Sequence, residues 1–332
     1  MTTDSEVRNG YVVSSEMKGI WNVELMLLKK LLDVCKENEL TIWASGGTLL
    51  GTVREKGYIP WDDDIDVEMP RKDYDKLQTI AENAFSAPFV FQSGYWTGCS
   101  QLQMLDTSAI PKTSLFLDVH LGIGIDIFPI DVIPDNPQDR DKYYCKLKKN
   151  RRAIADYSTP VFYSFKLKVI SRILFNRIKV AAVGYNAFVS RYYSIARQYQ
   201  NMDYKDVAAA AVFGSERFIR CRDWYSGTLY MPFEDISMPV PIRYEAILNR
   251  QYGADYMTPK QEPPVHKGFL FRSTTQSYEE VLPQLRKQFK QQLKKRWRKH
   301  LLGIIRGKRQ LYNLCPGIRN ICRILAGRQQ ET

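Results

Sequence analysis

The amino-acid sequence predicts a fold that mixes α-helices and β-strands, and two stretches carry most of that prediction. Residues 15–38 repeat apolar side chains at steps of three and four, which is typical of an amphipathic helix. Residues 122–132 read GIGIDIFPIDV, an apolar strand that carries two acids, Asp126 and Asp131. Because helical and strand patterns alternate between these stretches, we expect both element types in one folded body.

The other elements are assigned from the same patterns. Strands are predicted at residues 40–44, 59–69, 89–92 and 102–105. Helices are predicted at residues 48–55, 72–85, 138–200, 244–252 and 278–310, the last interrupted at Gly303 and Gly307. Residues 203–240 show no sustained period and are predicted to be irregular.

The net charge of +12 is distributed unevenly along the 332 residues. Residues 140–200 and 286–332 each contain 14 lysines and arginines, against two and one acidic residues. The rest of the chain carries a net charge of −13, so an acidic body bears two basic segments. Such segments attract nucleic acid or an anionic membrane surface. With 44% hydrophobic residues, the chain is not a disordered protein.

Composition also predicts the compartment. Residues 1–10 are polar, and no apolar stretch approaches the ~18 residues of a spanning helix. The six cysteines include no Cys-x-x-Cys pair, the spacing used by many zinc and redox sites. We therefore expect a cytoplasmic protein with reduced thiols, and neither a disulfide scaffold nor a zinc site.

The most informative stretch, residues 41–73, contains two consecutive glycines followed by four acids within five residues. The acids are Asp62, Asp63, Asp64 and Asp66. Alternation in the run DIDV places Asp64 and Asp66 on one face of a predicted strand. Carboxylates held that close repel each other, and a divalent cation with oxygen ligands is the usual remedy. The alternative is a solvated acidic turn, which the apolar neighbours on both sides disfavour.

The glycines Gly46 and Gly47 stand between a predicted strand and the start of a predicted helix. This arrangement binds anions, because backbone N–H groups and the helix dipole both favour negative charge. Phosphates beside carboxylates suggest a nucleotide bound with magnesium, with Asp126 as a third carboxylate from a neighbouring strand. Phosphoryl or nucleotidyl transfer would follow. Arg54 or Lys56 could reach phosphate oxygens, and the alternative is an exposed helix end.

Three blocks of the sequence resemble a known family. They are residues 46–51 (GGTLLG) with Arg54, residues 57–67 (GYIPWDDDIDV) with Arg71, Asp73 and Tyr74, and residues 125–131 (IDIFPID). They resemble the LicD family, which is typified by bacterial phosphorylcholine transferases and related to the fukutin-type proteins. Looser similarity around Phe233-Glu234, Val240-Pro241 and Tyr252-Gly253 extends the resemblance over roughly residues 20–265.

The resemblance implies an α+β, nucleotidyltransferase-like fold, with a mixed sheet flanked by helices. It implies metal-dependent transfer of a phospho-alcohol from a CDP-linked donor to a glycan of lipopolysaccharide or capsule type, releasing CMP. The implied metal ligands, for Mg²⁺ or Mn²⁺, are Asp64, Asp66 and Asp126, and either Asp62 or Asp63 would orient a metal-bound water or act as the base. Gly46, Gly47, Thr48 and Arg54 are the predicted nucleotide-binding residues.

Four regions follow from the resemblance and the charge pattern. They are a catalytic core at residues 15–137, a basic helical insertion at 138–200, the C-terminal part of the LicD-like domain at 201–277 and a basic amphipathic tail at 278–332. Both basic segments also carry large apolar residues, so residues 140–200 and 286–332 are predicted to bind the inner face of an anionic membrane, where a lipid-linked acceptor would be presented. The alternative for the tail is a solvated basic segment.

Two other functions stay open. One is a nucleotidyltransferase that moves NMP from an NTP to a small molecule or protein. The other is a non-catalytic, basic nucleic-acid-binding protein. The acid cluster disfavours the second, because it would repel phosphate in the absence of metal, and we therefore expect no nucleic-acid partner.

Overall fold

The computed structural model describes residues 4–93, 98–159, 166–209, 216–260 and 269–314. Within these ranges the helices are α1 (Ser15–Glu37), α2 (Gly46–Arg54), α3 (Arg71–Ala84), α4 (Pro137–Ser158), α5 (Leu167–Val183), α6 (Tyr185–Ala196), α7 (Tyr244–Tyr252) and α8 (Tyr278–Leu314). The strands are β1 (Glu6–Arg8), β2 (Tyr11–Val13), β3 (Trp43–Ala44), β4 (Asp66–Pro70), β5 (Phe89–Gln92), β6 (Ser100–Met104), β7 (Ser108–Pro111), β8 (Ile123–Val132), β9 (Asp206–Ala209), β10 (Arg220–Cys221), β11 (Thr228–Phe233), β12 (Ile236–Pro241) and β13 (Phe269–Ser273).

Strand β8 is the centre of a mixed sheet. On one edge it pairs in parallel with β4, and β3 continues the sheet antiparallel to β4. The other edge of β8 is shared by two antiparallel strands, because β6 pairs with its first half and β9 with its last residues. Strands β5 and β10 extend the sheet beyond β6 and β9. The predicted α+β fold, a mixed sheet flanked by helices, is confirmed.

Helix α1 packs its apolar face against this sheet. Ser14 caps the helix by accepting a hydrogen bond from the Met17 N–H. Trp21, Leu28 and Leu31 are fully buried in the core that also contains the sheet residues Val67 and Ile125. Each such leucine stabilises the fold by about 1.5–3 kcal/mol. The predicted helix at residues 15–38 is therefore confirmed, and the periodic apolar residues are the ones that hold it on the sheet.

The basic middle segment folds as three helices with a hydrophobic cluster of their own. Asn136 caps α4, and Pro137 occupies its first turn. Tyr143, Leu147, Val180 and Phe188 are buried between α4, α5 and α6, and Ala208 of β9 joins the same cluster. The segment is therefore attached to the end of the sheet while its lysines and arginines lie mainly on the outside.

The C-terminal part of the chain returns to the body. Strand β13 pairs antiparallel with β7. Helix α8 then packs on Ile110 and Leu121 through Tyr278, Leu282 and Phe289. Its first turns are therefore held by apolar contacts, whereas residues 315–332 of the predicted tail lie outside the described ranges. No helix among the described residues is both long enough and apolar enough to cross a bilayer.

The structure corrects three predicted elements. Residues 203–240, predicted to be irregular, contain β9, β10 and the β11–β12 hairpin. The prolines of that hairpin obscured its pattern, and they fit because each strand of a two-stranded ribbon has a free edge. The predicted strand at residues 59–69 begins only at Asp66. Helix α8 continues through Gly303 and Gly307, where an interruption was predicted.

Candidate active site

The glycine turn is fastened to the start of β4. The Ser45 N–H donates to the Asp66 carbonyl oxygen over 3.0 Å. The Thr48 hydroxyl oxygen accepts from the Asp66 N–H over 2.9 Å. Helix α2 begins at Gly46, two residues earlier than predicted, so both glycines belong to its first turn. The N–H groups of this turn have no partner within the helix, and they lie beside the first residue of β4.

The two glycines are in close contact with carboxylates. Gly46 has a φ of +52°, and a Cβ atom added there would lie 3.2 Å from Asp66 Oδ2. A Cβ atom at Gly47 would lie only 2.4 Å from Asp62 Oδ2. Any larger residue at Gly47 would therefore displace Asp62. The helix start that is predicted to bind phosphate therefore lies beside two of the predicted acids, Asp62 and Asp66.

The parallel register of β4 and β8 places Asp66 directly beside Asp126. Paired residues on neighbouring strands point to the same face of a sheet, and their Cα atoms are about 4.8 Å apart. Asp126 accepts a hydrogen bond from Gln101 Nε2 over 2.6 Å, and Gln101 in turn accepts from Gln103 Nε2 over 2.9 Å. Two glutamines of β6 therefore orient the carboxylate that β8 contributes.

The other three acids lie in the loop before β4. One carboxylate oxygen of each of Asp62, Asp63 and Asp64 falls within 4.8 Å of the others. Asp64 was predicted to lie on the strand with Asp66. That prediction was wrong, because β4 begins at Asp66, although the loop still brings Asp64 near the other acids. The Trp21 indole N–H donates to the Asp62 carbonyl oxygen over 2.9 Å and fixes this loop to α1.

Negative charge exceeds positive charge around these residues. Burial is the main cause that raises the pKa of Asp66 well above its ordinary value, and the Asp64 and Asp126 carboxylates raise it further. Burial and then Asp64 raise the pKa of Glu24, a buried residue of α1, in the same way. The Glu24 Oε2 atom has no hydrogen-bond partner among the described residues. A hard divalent cation would relieve this repulsion, so the oxygen-only donor set fits Mg²⁺ or Mn²⁺.

A cavity of about 330 Å³ opens beside the acids. Its polar lining comes mainly from Glu24, Asp63, Asp64, Gln101, Asp126 and Arg272. Among the described lining residues, Arg272 of β13 is the one lysine or arginine. Its guanidinium forms an ion pair with the buried Asp63 carboxylate and donates to the Asp63 carbonyl oxygen over 3.2 Å.

Arg54 is not brought to the glycines. It ends α2, about 12 Å along the helix axis from Gly46. Its side chain donates to the Glu55 carboxylate over 2.7 Å and to the Tyr256 carbonyl oxygen over 3.1 Å. Its predicted role in nucleotide binding stays a prediction, and these contacts explain its position without a ligand.

Four residues of the site were missed from the sequence. Glu24 interrupts the apolar face of α1, and that interruption was the available signal. Gln101 and Arg272 reach the site only through strand pairing, and no local pattern marks them. Tyr252, at the end of α7, is 37% exposed, and its pKa is raised by burial and by the Asp62 and Asp66 carboxylates. A partly exposed ring close to the acids is a candidate contact for a bound ligand.

Further along the same two strands, the acids have arginine partners. Glu68 of β4 forms a buried ion pair with Arg220 and accepts from the Tyr225 hydroxyl over 2.9 Å. Asp131 of β8 accepts two hydrogen bonds from the Arg71 guanidinium, each over 2.7 Å. Burial opposes ionisation of both arginines, but Glu68 and Asp131 raise the pKa of their partners. In both pairs the charges of the acid and the arginine match, so neither pair carries a net charge that would attract a ligand.

Comparison with known proteins finds a family model that matches part of this chain. Residues 39–182 match the family model described as LicD/FKTN/FKRP, nucleotidyltransferase domain. The resemblance to the LicD family is confirmed over these residues. The match contains the glycine turn, the acid loop and Asp126, so every predicted site residue lies within the matched residues.

Similar curated proteins extend the comparison beyond that domain. The lipopolysaccharide cholinephosphotransferase LicD of Haemophilus influenzae is 24% identical over 250 residues, which cover 70% of this chain and 89% of that protein. Uncharacterised proteins of Rickettsia prowazekii and Rickettsia typhi match shorter stretches, 41% identical over 54 residues and 35% over 78. These stretches cover 20% and 24% of the two proteins. The predicted enzyme class, a LicD-like transferase, agrees with the Haemophilus relative.

Proposed function

We propose that this protein transfers a phospho-alcohol, with phosphocholine as the first candidate, from a CDP-linked donor to a hydroxyl of a cell-surface glycan precursor, releasing CMP. The observation that carries the proposal is the close approach of the Asp62 and Asp66 carboxylates to the two glycines in the first turn of α2. The similarity to a lipopolysaccharide cholinephosphotransferase supports the choice of alcohol and acceptor.

The donor is held by its phosphates. The N–H groups of Gly46, Gly47 and Thr48 in the first turn of α2 bind phosphate oxygens, and the helix dipole favours their charge. Asp64, Asp66 and Asp126 are the residues that would hold Mg²⁺ or Mn²⁺. When bound, the metal neutralises charge that develops on the phosphates. Without it, the carboxylates beside the glycines would repel the donor.

The bond changes follow from the donor. The acceptor hydroxyl oxygen forms a bond to the phosphorus that carries the alcohol, and the bridging oxygen leaves with CMP. The hydroxyl proton passes to a carboxylate of the cluster. Asp62 and Asp63 remain the two predicted bases, and the Asp63 carboxylate already accepts a hydrogen bond from Arg272. Arg272 then serves to orient Asp63 at the wall of the cavity that receives the acceptor.

The acceptor side of the reaction is placed at a membrane. Helix α5 contains four lysines or arginines and no acid. Leu167, Leu174, Phe175 and Ile178 lie on one face of this helix and are 83%, 44%, 65% and 70% exposed. Cations flank that face on both sides, as in helices that lie in the plane of an anionic bilayer. We therefore propose peripheral binding at the cytoplasmic leaflet through α5, within the predicted segment 140–200.

Product analysis tests the activity. Purified protein with Mg²⁺ is incubated with CDP-choline, CDP-ribitol, CDP-glycerol or CDP-ethanolamine and a lipid-linked glycan. The proposal expects CMP in amounts equal to a new phosphodiester on the glycan, detected by ³¹P NMR. Absence of CMP with all four donors, or release of pyrophosphate from an NTP instead, contradicts it and favours the nucleotidyltransferase alternative.

Vesicle sedimentation tests the membrane face. Wild-type protein is expected to sediment with phosphatidylcholine vesicles that contain phosphatidylglycerol, and to be released by salt. The double variant Phe175→Ser/Ile178→Ser should bind about tenfold or more weakly, because two exposed apolar side chains that the bilayer would bury are lost. Val7→Ser/Val12→Ser, on the exposed β1–β2 hairpin, is the matched control and should bind as wild type. A wild-type protein that stays in the supernatant at low salt overturns the assignment.

A further inference from the structure

A second and larger cavity, of about 760 Å³, lies on the other side of one loop from the acid cavity. Its described walls are the loop at residues 112–119, α4, Arg172 of α5 and Tyr185 of α6. Among these described residues, five basic side chains line the cavity: Lys112, Lys148, Arg151, Arg152 and Arg172. Two acids, Asp118 and Asp156, also line it.

The acids do not balance these cations. Asp156 is buried and already accepts hydrogen bonds from Arg172 over 2.9 and 3.0 Å and from Asn176 over 2.7 Å. Asp118 is exposed and is the other acid in the lining. Three further cations come from one face of α4 and one from the opposite wall, so positive charge faces the cavity from both sides. Such a cavity is suited to a group with several negative oxygens.

One loop separates the two cavities. Pro111, Ser114 and His120 line the acid cavity, whereas Lys112, Phe116 and Val119 of the same loop line the basic one. A ligand in the basic cavity is therefore a short distance from the candidate active site. The volume exceeds that of a diphosphate and leaves room for the first part of an attached molecule.

Helix α5 links the basic cavity to the proposed membrane face. Arg172 lines the cavity, and Leu174 and Phe175, two and three residues later, belong to the exposed apolar face. An anionic group at the headgroup level of a bilayer would thus enter the cavity while its hydrocarbon stays in the membrane.

We propose that the basic cavity binds the phosphate or diphosphate through which a membrane-anchored acceptor is attached to its lipid. This inference rests on the proposed function for the role of the ligand, but the binding itself does not depend on transfer. The chemistry that is recognised is a phosphodiester or diphosphate, which a lipid or a soluble sugar diphosphate could both supply.

Calorimetric titration with inorganic pyrophosphate measures the binding directly. Divalent metal is left out, so that the acid cluster repels the anion and does not contribute to the measured binding. Lys148→Gln/Arg151→Gln on α4 should weaken binding about tenfold or more, since two charge-assisted contacts are lost. Lys112→Gln, on the opposite wall, should also weaken pyrophosphate binding. Because it changes a different wall, the test still holds if the α4 variant misfolds. The control is Lys30→Gln/Lys36→Gln, which removes the same charge from α1, a helix that does not line this cavity.

The outcomes separate the possibilities. Weakening in both cavity variants but not in the control supports the site, whereas equal weakening in all three, or in none, overturns it. Phosphatidylcholine vesicles that contain a polyprenyl diphosphate should compete with pyrophosphate. If only a soluble UDP-sugar competes, the membrane source is wrong.

The proposed function can be disproved independently of the proposed phosphate site. If no CDP-alcohol yields CMP while the cavity variants still lose pyrophosphate, the reaction is wrong and the site stands. If transfer occurs, the cavity variants should raise the KM for the lipid-linked acceptor and leave the KM for the CDP-alcohol unchanged.

Discussion

Strands β4 and β8 each carry two acids, and the acids at one end of the two strands have neighbours of opposite charge to those at the other end. Asp66 and Asp126, at one end, lie beside each other and near further acids. Glu68 and Asp131, further along, are buried against Arg220 and Arg71. The strands and the acidic residue type are shared, but Asp66 and Asp126 are half-buried beside other acids, whereas Glu68 and Asp131 are fully buried against arginines.

The partner of each acid separates those that serve the fold from those that serve a ligand. A buried carboxylate with a bonded arginine is satisfied, and loss of either partner destabilises the protein. Carboxylates that lie beside other carboxylates destabilise the folded state until a cation binds. We therefore propose that Glu68 and Asp131 serve stability and that Asp66 and Asp126 bind a metal ion, and the following experiments test that division.

The largest effect is expected from Asp66→Asn. Loss of one ligand carboxylate should lower the transfer rate about 100- to 1,000-fold. The melting temperature without metal should stay the same or rise, because a like-charge contact is removed. Asp235→Asn, an exposed acid paired with Lys29 on the β11–β12 turn, is the control and should keep full activity. If Asp66→Asn transfers at the wild-type rate, Asp66 is not a metal ligand.

Asp131→Asn should have the converse effect. It leaves the buried Arg71 without its carboxylate, which costs about 3–5 kcal/mol of unfolding free energy. Urea unfolding followed by circular dichroism measures this loss, and Asp235→Asn should change the same quantity by less than about 1 kcal/mol. If Asp131→Asn is as stable as wild type but binds metal more weakly, Asp131 serves the metal site and not the stability of the fold.

Gly47→Ala tests the contact between the helix start and the acids. The new Cβ atom would displace Asp62, so the KM for the donor should rise about tenfold while the fold persists. Gly19→Ala in α1 is the matched control, because its Cβ atom meets Thr274 only at an ordinary 3.4 Å. That change should raise stability by about 0.5–1 kcal/mol and leave the KM unaltered. Equal kinetics for the two variants would contradict the proposed phosphate site.

Arg272→Gln should give the smallest effect. Removal of a cation beside the acids should tighten Mg²⁺ binding about fivefold, equivalent to about 1 kcal/mol. Thermal melts at increasing Mg²⁺ would show the variant stabilised at lower metal concentration than wild type. Weaker metal binding in the variant would mean that Arg272 supports the ligands themselves.

The local parts of the site could be predicted from the sequence, and the remote parts could not. Gly46, Gly47 and Asp66 lie within one short motif, and their chemistry follows from spacing. Asp126 and Asp131 both stand among apolar residues, and no local pattern tells the one that faces acids from the one that binds an arginine. That distinction depends on Arg71, which is 60 residues away from Asp131.

The fold shows the same limit. The long amphipathic helix α1 and the apolar strand β8 were predicted, because each buries a continuous periodic face. Strands β9 and β10 are four and two residues long, too short for a period to be seen, and pairing partners far along the chain define them. Arg272 enters the site only because β13 pairs with β7 across more than a hundred residues.

Mn²⁺ titration followed by electron paramagnetic resonance measures whether Asp66 and Asp126 hold a divalent cation. Wild type and Asp235→Asn are expected to bind Mn²⁺ equally, and Asp66→Asn and Asp126→Asn are each expected to bind about tenfold or more weakly. If both Asn variants bind Mn²⁺ with wild-type affinity, these acids are not metal ligands and the proposed metal site is wrong.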